Sequence, residues 1–322
     1  MSLKVVFYRS DVPREQIFAR HMELGLRAFG DELDVRMSSD YGEDKKYEGP
    51  TADTDVMICY GVKSANIVKD HITCGTPYIF SDKGYSRGKD AKFPTITKYT
   101  RLSVNEFQPI SYFQKTRHPS DRWDRLGGTL KSLRQDRTDN LVVFASSSQK
   151  FYDYHGIGEL KAHDEKTIKR IKKIFGLSDE DRRAGIRREI IYRPKPSYVK
   201  RHLKGETVHS PLGADIFSGP DEHLSDYFER CHCLVTFASN SAVEALINGV
   251  PVVAYGPTIA APLIGSALEQ INKPPFPDEA TRTQWAYDLA YHQWTLDELA
   301  SGEAWGHIRK RVKHVLEAKV GR

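Results

Sequence analysis

Apolar residues along this chain fall into short runs with two alternating rhythms. Residues 4–9 ("KVVFYR") form a compact run of strand length. In residues 14–30 ("REQIFARHMELGLRAFG"), Ile17, Phe18, His21, Met22, Leu24, Leu26 and Phe29 recur at helical spacing, and Gly30 closes the segment. Residues 34–39 ("DVRMSS") and 54–61 ("TDVMICYG") predict a second and third strand. Residues 64–75 predict a helix ending in Gly75, and 76–85 ("TPYIFSDKGY") a fourth strand with a polar exit. This β-α-β-α order implies a parallel sheet with helices on its faces.

The rhythm stops over residues 86–138, which are polar, aromatic and poorly periodic, and reads as an irregular segment. It restarts with a strand in "NLVVFASSSQKFYDY" (140–154), a basic helix near 164–175, and a strand in "REIIYRPKP" (188–196). A helix at 222–231, a strand at 232–237, and C-terminal helices carrying Trp285, Trp294 and Trp305 complete the chain. At 322 residues the chain is longer than one core usually serves. The expected fold class is α/β, with two Rossmann-like domains facing a central cleft, 1–138 and 139–322, joined near residue 139.

Composition narrows the class. Hydrophobic residues make up 39% and charged residues 28%, as in ordinary globular proteins. No apolar run approaches the ~20 residues that span a bilayer. The first residues enter a strand-like run with no signal-peptide pattern, so a cytoplasmic protein with no membrane partner is expected. Four cysteines are too few for a disulfide framework. Cys231, His232 and Cys233 invite a metal reading, but Cys59 and Cys74 lack paired spacing, and all four cysteines read as core or strand positions. The Asp-Thr-Asp at 53–55 precedes its strand instead of following one, so no metal site is expected. The net charge of +5 is concentrated in residues 166–204, either a solvated face or a patch for an anionic partner such as a nucleotide or nucleic acid.

Candidate chemistry gathers at predicted strand ends, where doubly wound folds bind ligands. In "VTFASNSAVEALINGVPVVAYGP" (235–257) a strand opens onto Ser239, Asn240 and Ser241 at a helix start. Ser241 and Glu244 have the S-x-x-E spacing of a capping box. Three such residues exceed what a cap needs. The cluster is read as a phosphate contact, with Glu244 accepting from ribose hydroxyls. Ser146 and Ser147 offer further donors to the same ligand. Arg193 and Lys195, with Pro194 and Pro196 expected to hold them extended, offer two cations for the phosphates. Gly256-Pro257 is expected to wall the same place. Neither a P-loop nor a dinucleotide-binding glycine fingerprint occurs.

The segment "TFASNSAVEALINGVPVV" resembles the donor-site motif of capsule Kdo-transferases and sialyltransferases, whose fold is GT-B, and "YRPKP" resembles their cationic loop, with Arg193-Pro194-Lys195-Pro196 in place of lysine-proline-histidine-proline. "SDKGY", "RLSVNEFQP", "SDRWDRLG" and "YHQWTLDELASGEAW" are similar to phrases in a group of phage and proteobacterial proteins. The resemblance implies an acceptor-side N-terminal domain and a C-terminal domain binding a nucleotide sugar, UDP- or CMP-linked, as co-substrate with no other cofactor. Some phage relatives of this kind modify hydroxymethylated pyrimidines in DNA, so DNA is one expected partner.

Glycosyl transfer needs a base for the acceptor hydroxyl. Asp82, leaving a strand end beside Lys83, is the first choice, and Asp11, after strand one, the second. Lys83, Tyr85, Arg101 and Arg122 are the expected acceptor contacts. The stretch 99–125, with Tyr99, Phe107, Tyr112, Arg117 and Trp123, is read either as a DNA-contacting surface or as core packing. Three further readings stand beside DNA modification: transfer to a surface polysaccharide, a non-catalytic nucleotide- or DNA-binding protein, and a sugar-nucleotide epimerase.

Overall fold

The computed structural model describes residues 2–38, 54–61, 65–86, 90–93, 97–113, 115–134, 140–177, 179–185, 187–205 and 212–320. The expected domain joint near residue 139 lies outside these residues, as do Ser39, Asp53 and Ser64 at the ends of expected features. Among the described residues the strands are β1 (Lys4–Arg9), β2 (Glu32–Met37), β3 (Val56–Tyr60), β4 (Tyr78–Lys83), β5 (Thr100–Val104), β6 (Leu141–Ala145), β7 (Glu189–Arg193), β8 (Ile216–Phe217), β9 (Cys231–Thr236), β10 (Val252–Ala254) and β11 (Gln293–Trp294). The helices are α1 (Pro13–Arg27), α2 (Ala65–Thr73), α3 (Ile110–Phe113), α4 (Asp121–Arg125), α5 (Gln149–Tyr154), α6 (Leu160–Phe175), α7 (Asp179–Arg183), α8 (Pro196–Leu203), α9 (Ser241–Ile247), α10 (Glu279–Ala290), α11 (Leu296–Ala300) and α12 (Glu303–Val320).

Two compact units emerge. Unit 1 comprises Met1–Pro109 and Leu289–Arg322, and unit 2 comprises Ile110–Asp288. This division differs from 1–138 and 139–322. The segment after Pro109 packs with the second sheet, and the last 34 residues return to the first. The return is fixed by Asp31. Its carboxylate accepts from Arg309 Nε at 2.6 Å, Arg309 Nη2 at 2.8 Å, Trp305 Nε1 at 2.6 Å and the Leu3 amide at 2.8 Å. Nothing in local periodicity announces a contact spanning so much sequence.

Unit 1 holds a six-stranded sheet in the order β11-β5-β4-β3-β1-β2. β2, β1, β3 and β4 run parallel, as the β-α-β-α rhythm requires. β5 is antiparallel to β4, and β11 to β5. β5 falls inside the segment read as irregular. Thr100, Arg101 and Ser103 occupy three of its five positions and are all buried, so polarity hides the strand. α1 starts on Pro13 at a first-turn position and buries Phe18, Ala19, Met22, Gly25 and Leu26. Its core continues into Trp294, Leu299, Trp305 and Ile308 of the returning segment.

Unit 2 holds a five-stranded parallel sheet, β10-β9-β6-β7-β8. β6 and β10 are buried at every position, the run expected of a parallel sheet covered on both faces. The helix expected at 222–231 is a 3₁₀ helix, Leu224–Arg230. No described helix is long and apolar enough to cross a membrane.

Candidate functional site

Three neighbouring strands of unit 2 end at one level. Ala145 at the end of β6 lies opposite Thr236 of β9 on one side and Arg193 of β7 on the other. Thr236 Oγ1 donates to the Ala145 carbonyl at 2.7 Å and accepts from the Ser239 amide at 3.3 Å, which folds the 237–240 loop back over the strand ends. The Gly256-Pro257 turn lies against this loop, as expected. A Cβ on Gly256 would stand 2.5 Å from the Phe237 ring and 2.7 Å from its carbonyl, so only glycine fits.

The Ser241–Glu244 capping box does not form. Ser241 sits one place inside α9, and the cap position belongs to Asn240, whose backbone is already helical at φ −60°, ψ −12°. The Glu244 amide is taken by the Asn240 carbonyl at 3.2 Å, and Ser239 Oγ accepts from the Ser241 amide at 3.3 Å. Ser241 Oγ is thereby left buried with no hydrogen-bond partner, on a residue only 7% exposed. Such a hydroxyl is costly in the free protein and is a position that a ligand oxygen can satisfy. Glu244 is half-buried one turn on.

The cationic pair separates. Arg193 Nη1 donates to Ser218 Oγ at 2.5 Å and Nη2 to the Glu222 carbonyl at 2.7 Å, so its guanidinium braces the 218–222 loop. The Glu222 carboxylate accepts from Tyr227 Oη and from the Gly219 amide, and the Tyr227 hydrogen bond leads the effects that hold its pKa below the ordinary range. Pro196 does not keep the strand extended. It opens α8, a position suited to proline's fixed φ and missing N–H, with Lys195 as the preceding cap residue. Lys195 is exposed, and among the described residues its ammonium has no ion pair. Of the two cations at this strand end, only Lys195 keeps its charge open to a ligand.

The two serines after β6 divide in the same way. Ser146 is 8% exposed and spends its one proton on Asp164 Oδ2 at 2.5 Å, so it has none for a phosphate. Ser147 is half-buried, and no described group hydrogen-bonds its hydroxyl.

At the strand ends of unit 1, Asp82 is the penultimate residue of β4 and its side chain is 36% exposed. Its Oδ1 accepts from the Lys83 amide at 2.8 Å, and Oδ2 lies 3.5 Å from Arg101 Nη2. Asp11 is 86% exposed at the side chain and stands 3.8 Å from Arg9. Sequence periodicity passed over two neighbours. Glu15 is buried in the first turn of α1 and accepts from the Ser10 amide at 2.6 Å and Ser10 Oγ at 2.8 Å. Tyr60 closes β3, and burial, then the Asp82 charge, drive its hydroxyl pKa up. A carboxylate one turn past a strand end was the signal available for Glu15.

The expected acceptor contacts are largely interior. Tyr85 is buried, its hydroxyl donating to Gln108 Oε1 at 3.0 Å. Arg101 is 3% exposed, with its guanidinium over Phe80, Tyr85 and Phe107 at 5.2, 5.5 and 5.2 Å. Arg122 is 1% exposed. Tyr99 and Trp123 are buried too, and Lys83 alone of the four named contacts is exposed. Aromatic rings beside arginines satisfy a buried cation as readily as they satisfy a nucleic acid, which is why the sequence allowed both readings.

The basic run 166–204 is a solvated, partly ion-paired face: Lys169 meets Glu165, Arg170 meets Glu269, Lys172 meets Asp215, Arg188 meets Asp181 and Lys200 meets Asp221. Cys231 and Cys233 are buried, and burial raises the Cys233 thiol pKa. Among the described residues no group of three or more His, Cys, Asp or Glu side chains is placed to hold a metal.

No family model and no curated protein matches the chain. Among solved structures it is similar to the β-Kdo 2,4-transferase KpsC of Thermosulfurimonas dismutans, with 98% of each chain covered, 13% identity and a TM-score of 0.50. The β-Kdo 2,7-transferase KpsC of the same organism matches at 12% identity over 80% of each chain with a TM-score of 0.42. The calicheamicin glycosyltransferase CalG4 matches at 11% identity over 98% of each chain with a TM-score of 0.30. At such identities the likeness is one of fold, and the chain has the two-unit α/β, GT-B-like fold of glycosyltransferases.

Proposed function

We propose that the protein is a glycosyltransferase that uses a nucleotide sugar, UDP- or CMP-linked, bound at the strand ends of unit 2. The observation that carries this reading is Ser241 Oγ, buried without a partner beside a hydroxyl-rich loop, where three parallel strands end in register. Ser239, Asn240, Ser241, Ser147 and Lys195 receive the phosphates, and Glu244 accepts from ribose hydroxyls. In transfer, the bond between the anomeric carbon and the phosphate oxygen breaks, and the acceptor oxygen bonds that carbon. The acceptor proton passes to Asp82, and the nucleotide leaves with the electron pair, its charge met by Lys195 and the loop donors. No metal is called on. Asp82 is preferred to Asp11 because its orientation is fixed by Lys83 and Arg101.

For the acceptor, the burial of Tyr85, Arg101 and Arg122 favours a glycan, as in surface polysaccharide synthesis, over a hydroxymethylated pyrimidine in DNA. Thermal unfolding against UDP, CMP, GDP and ADP and their sugars tests the donor reading. A ligand at about 100 times its Kd adds about 2.7 kcal/mol, a shift of several degrees. Stabilisation by one nucleotide class is the expected result, and no shift with any of them refutes the reading.

A further inference from the structure

Asp164, in α6, is 0% exposed, and among the described residues no lysine or arginine pairs with it. Three hydroxyls converge on it instead. Ser146 Oγ at 2.5 Å and Tyr192 Oη at 2.7 Å donate to Oδ2, and Tyr152 Oη donates to Oδ1 at 2.9 Å. His163 Nδ1 lies 3.3 Å from Oδ1. A buried carboxylate is tolerated when donors fill its lone pairs. The donors are held as such: burial, then the Asp164 charge, drives the hydroxyl pKa of both tyrosines far up, so neither gives up its proton.

These donors come from separate pieces of chain that meet at the proposed donor site. Ser146 is the first residue past β6, Tyr192 is the penultimate residue of β7, and Tyr152 belongs to α5, which begins just after Ser147 and Ser148. A second tie joins the same segments, since Tyr198 Oη of α8 accepts from the Gln149 amide at 3.1 Å. Apolar side chains would fill this volume at lower cost. What they would not do is fix two strand-end loops to one point.

We infer that Asp164 is a positioning residue: its carboxylate sets the β6 and β7 exits so that Ser147 and Lys195 are presented together to the nucleotide phosphates. What the loops hold rests on the donor reading above; that Asp164 fixes them does not.

Hydrogen–deuterium exchange on the full chain tests this with Tyr192→Phe and Asp164→Asn. Tyr192→Phe keeps the ring and the carboxylate and removes one donor, so it serves if Asp164→Asn fails to fold. Both variants are expected to exchange about tenfold faster at residues 146–149 and 193–198, with β9 as protected as in the wild type. Unchanged exchange in those segments, or an even rise throughout unit 2, overturns the inference in favour of plain core packing. The donor reading fails separately: none of UDP, CMP, GDP or ADP slows exchange of these segments in the wild type, while the variants still loosen them.

Discussion

Asp82 stands directly opposite Arg101 in the antiparallel β4–β5 pair, with Oδ2 3.5 Å from Nη2 and the guanidinium packed over three aromatic rings. The arginine is therefore a fixed, interior counter-charge, and the carboxylate is the partner that reaches solvent. Asp82→Asn keeps shape and removes the proposed base. Transfer is expected to fall by about 10²–10⁴-fold, the usual worth of a general base, with little change in Tm. Initial rates with the nucleotide sugar that stabilises the protein decide it. A variant keeping more than a tenth of the activity rules Asp82 out as the base.

Ser241→Ala separates stability from binding. In the free protein it deletes a buried hydroxyl with no partner, so the fold is expected to gain up to about 1 kcal/mol. The nucleotide-induced shift in Tm is expected to shrink if the same oxygen serves the phosphate as proposed. Unfolding scans with and without nucleotide read both effects. A destabilised free variant with an undiminished ligand shift contradicts the assignment.

Elements of this fold are legible in the sequence where their signals are local. Strands such as β3 and β6 are continuous apolar runs, so the parallel strands β1–β4, β6, β7, β9 and β10 were legible. The spacing of α1, by contrast, marked Phe18, Met22 and Leu26, which are buried, together with Leu24 and Phe29, which are exposed. Trp294, expected on a helix, lies in β11. β5 was not legible, because Arg101 inside it is satisfied by rings from β4 and beyond, contacts absent from its own five residues. The same limit applied at the site. The Ser239–Ser241 cluster could be found by composition, but spacing could not tell that Arg193 is spent on Ser218, that Ser146 is spent on Asp164, or that Ser241 is left over. The first two depend on partners 25 and 18 residues away, and the third on the helical backbone of Asn240, which spacing does not reveal.

Gly25 reverses the ordinary helix rule. Alanine normally stabilises a helix interior by about 1 kcal/mol relative to glycine. In α1, a Cβ at Gly25 would stand 2.1 Å from the Leu299 carbonyl oxygen of α11. Gly25→Ala is therefore expected to destabilise by about 1–3 kcal/mol, the cost of overpacking. Chemical denaturation measures it, and a neutral or stabilising result means that α1 and α11 leave room for a methyl group at this crossing.

His71 gives unit 1 a defined acid response. The ring is fully buried in α2 beside Tyr8, and burial, then the Arg36 charge, lowers its pKa to about 4. A base whose pKa is lower folded than unfolded supports the fold above its unfolded value, about 6.5, and that support is lost as pH falls toward the folded value. Stability is thus expected to decline by something on the order of 3 kcal/mol between about pH 6.5 and 4. His71→Gln should flatten that part of the profile in denaturant titrations across pH. An equal slope in the variant assigns the acid limb to other groups.

The acceptor question turns on charge that can reach solvent. A protein that docks on DNA through several phosphate contacts binds steeply less well as salt rises, losing about 10³–10⁵ in affinity between 50 and 200 mM for six to ten contacts. Here Arg101 and Arg122 are interior, so of the expected acceptor contacts only Lys83 offers an exposed cation to a phosphate backbone. Fluorescence anisotropy with single- and double-stranded DNA is accordingly expected to show weak binding with a shallow salt dependence. Lys83→Ala should leave that binding unchanged, since one exposed lysine cannot supply a groove. A steep salt slope would restore DNA as the acceptor and would require cations outside this set, whereas a shallow one with transfer onto a glycan primer fits an acceptor read through hydroxyls.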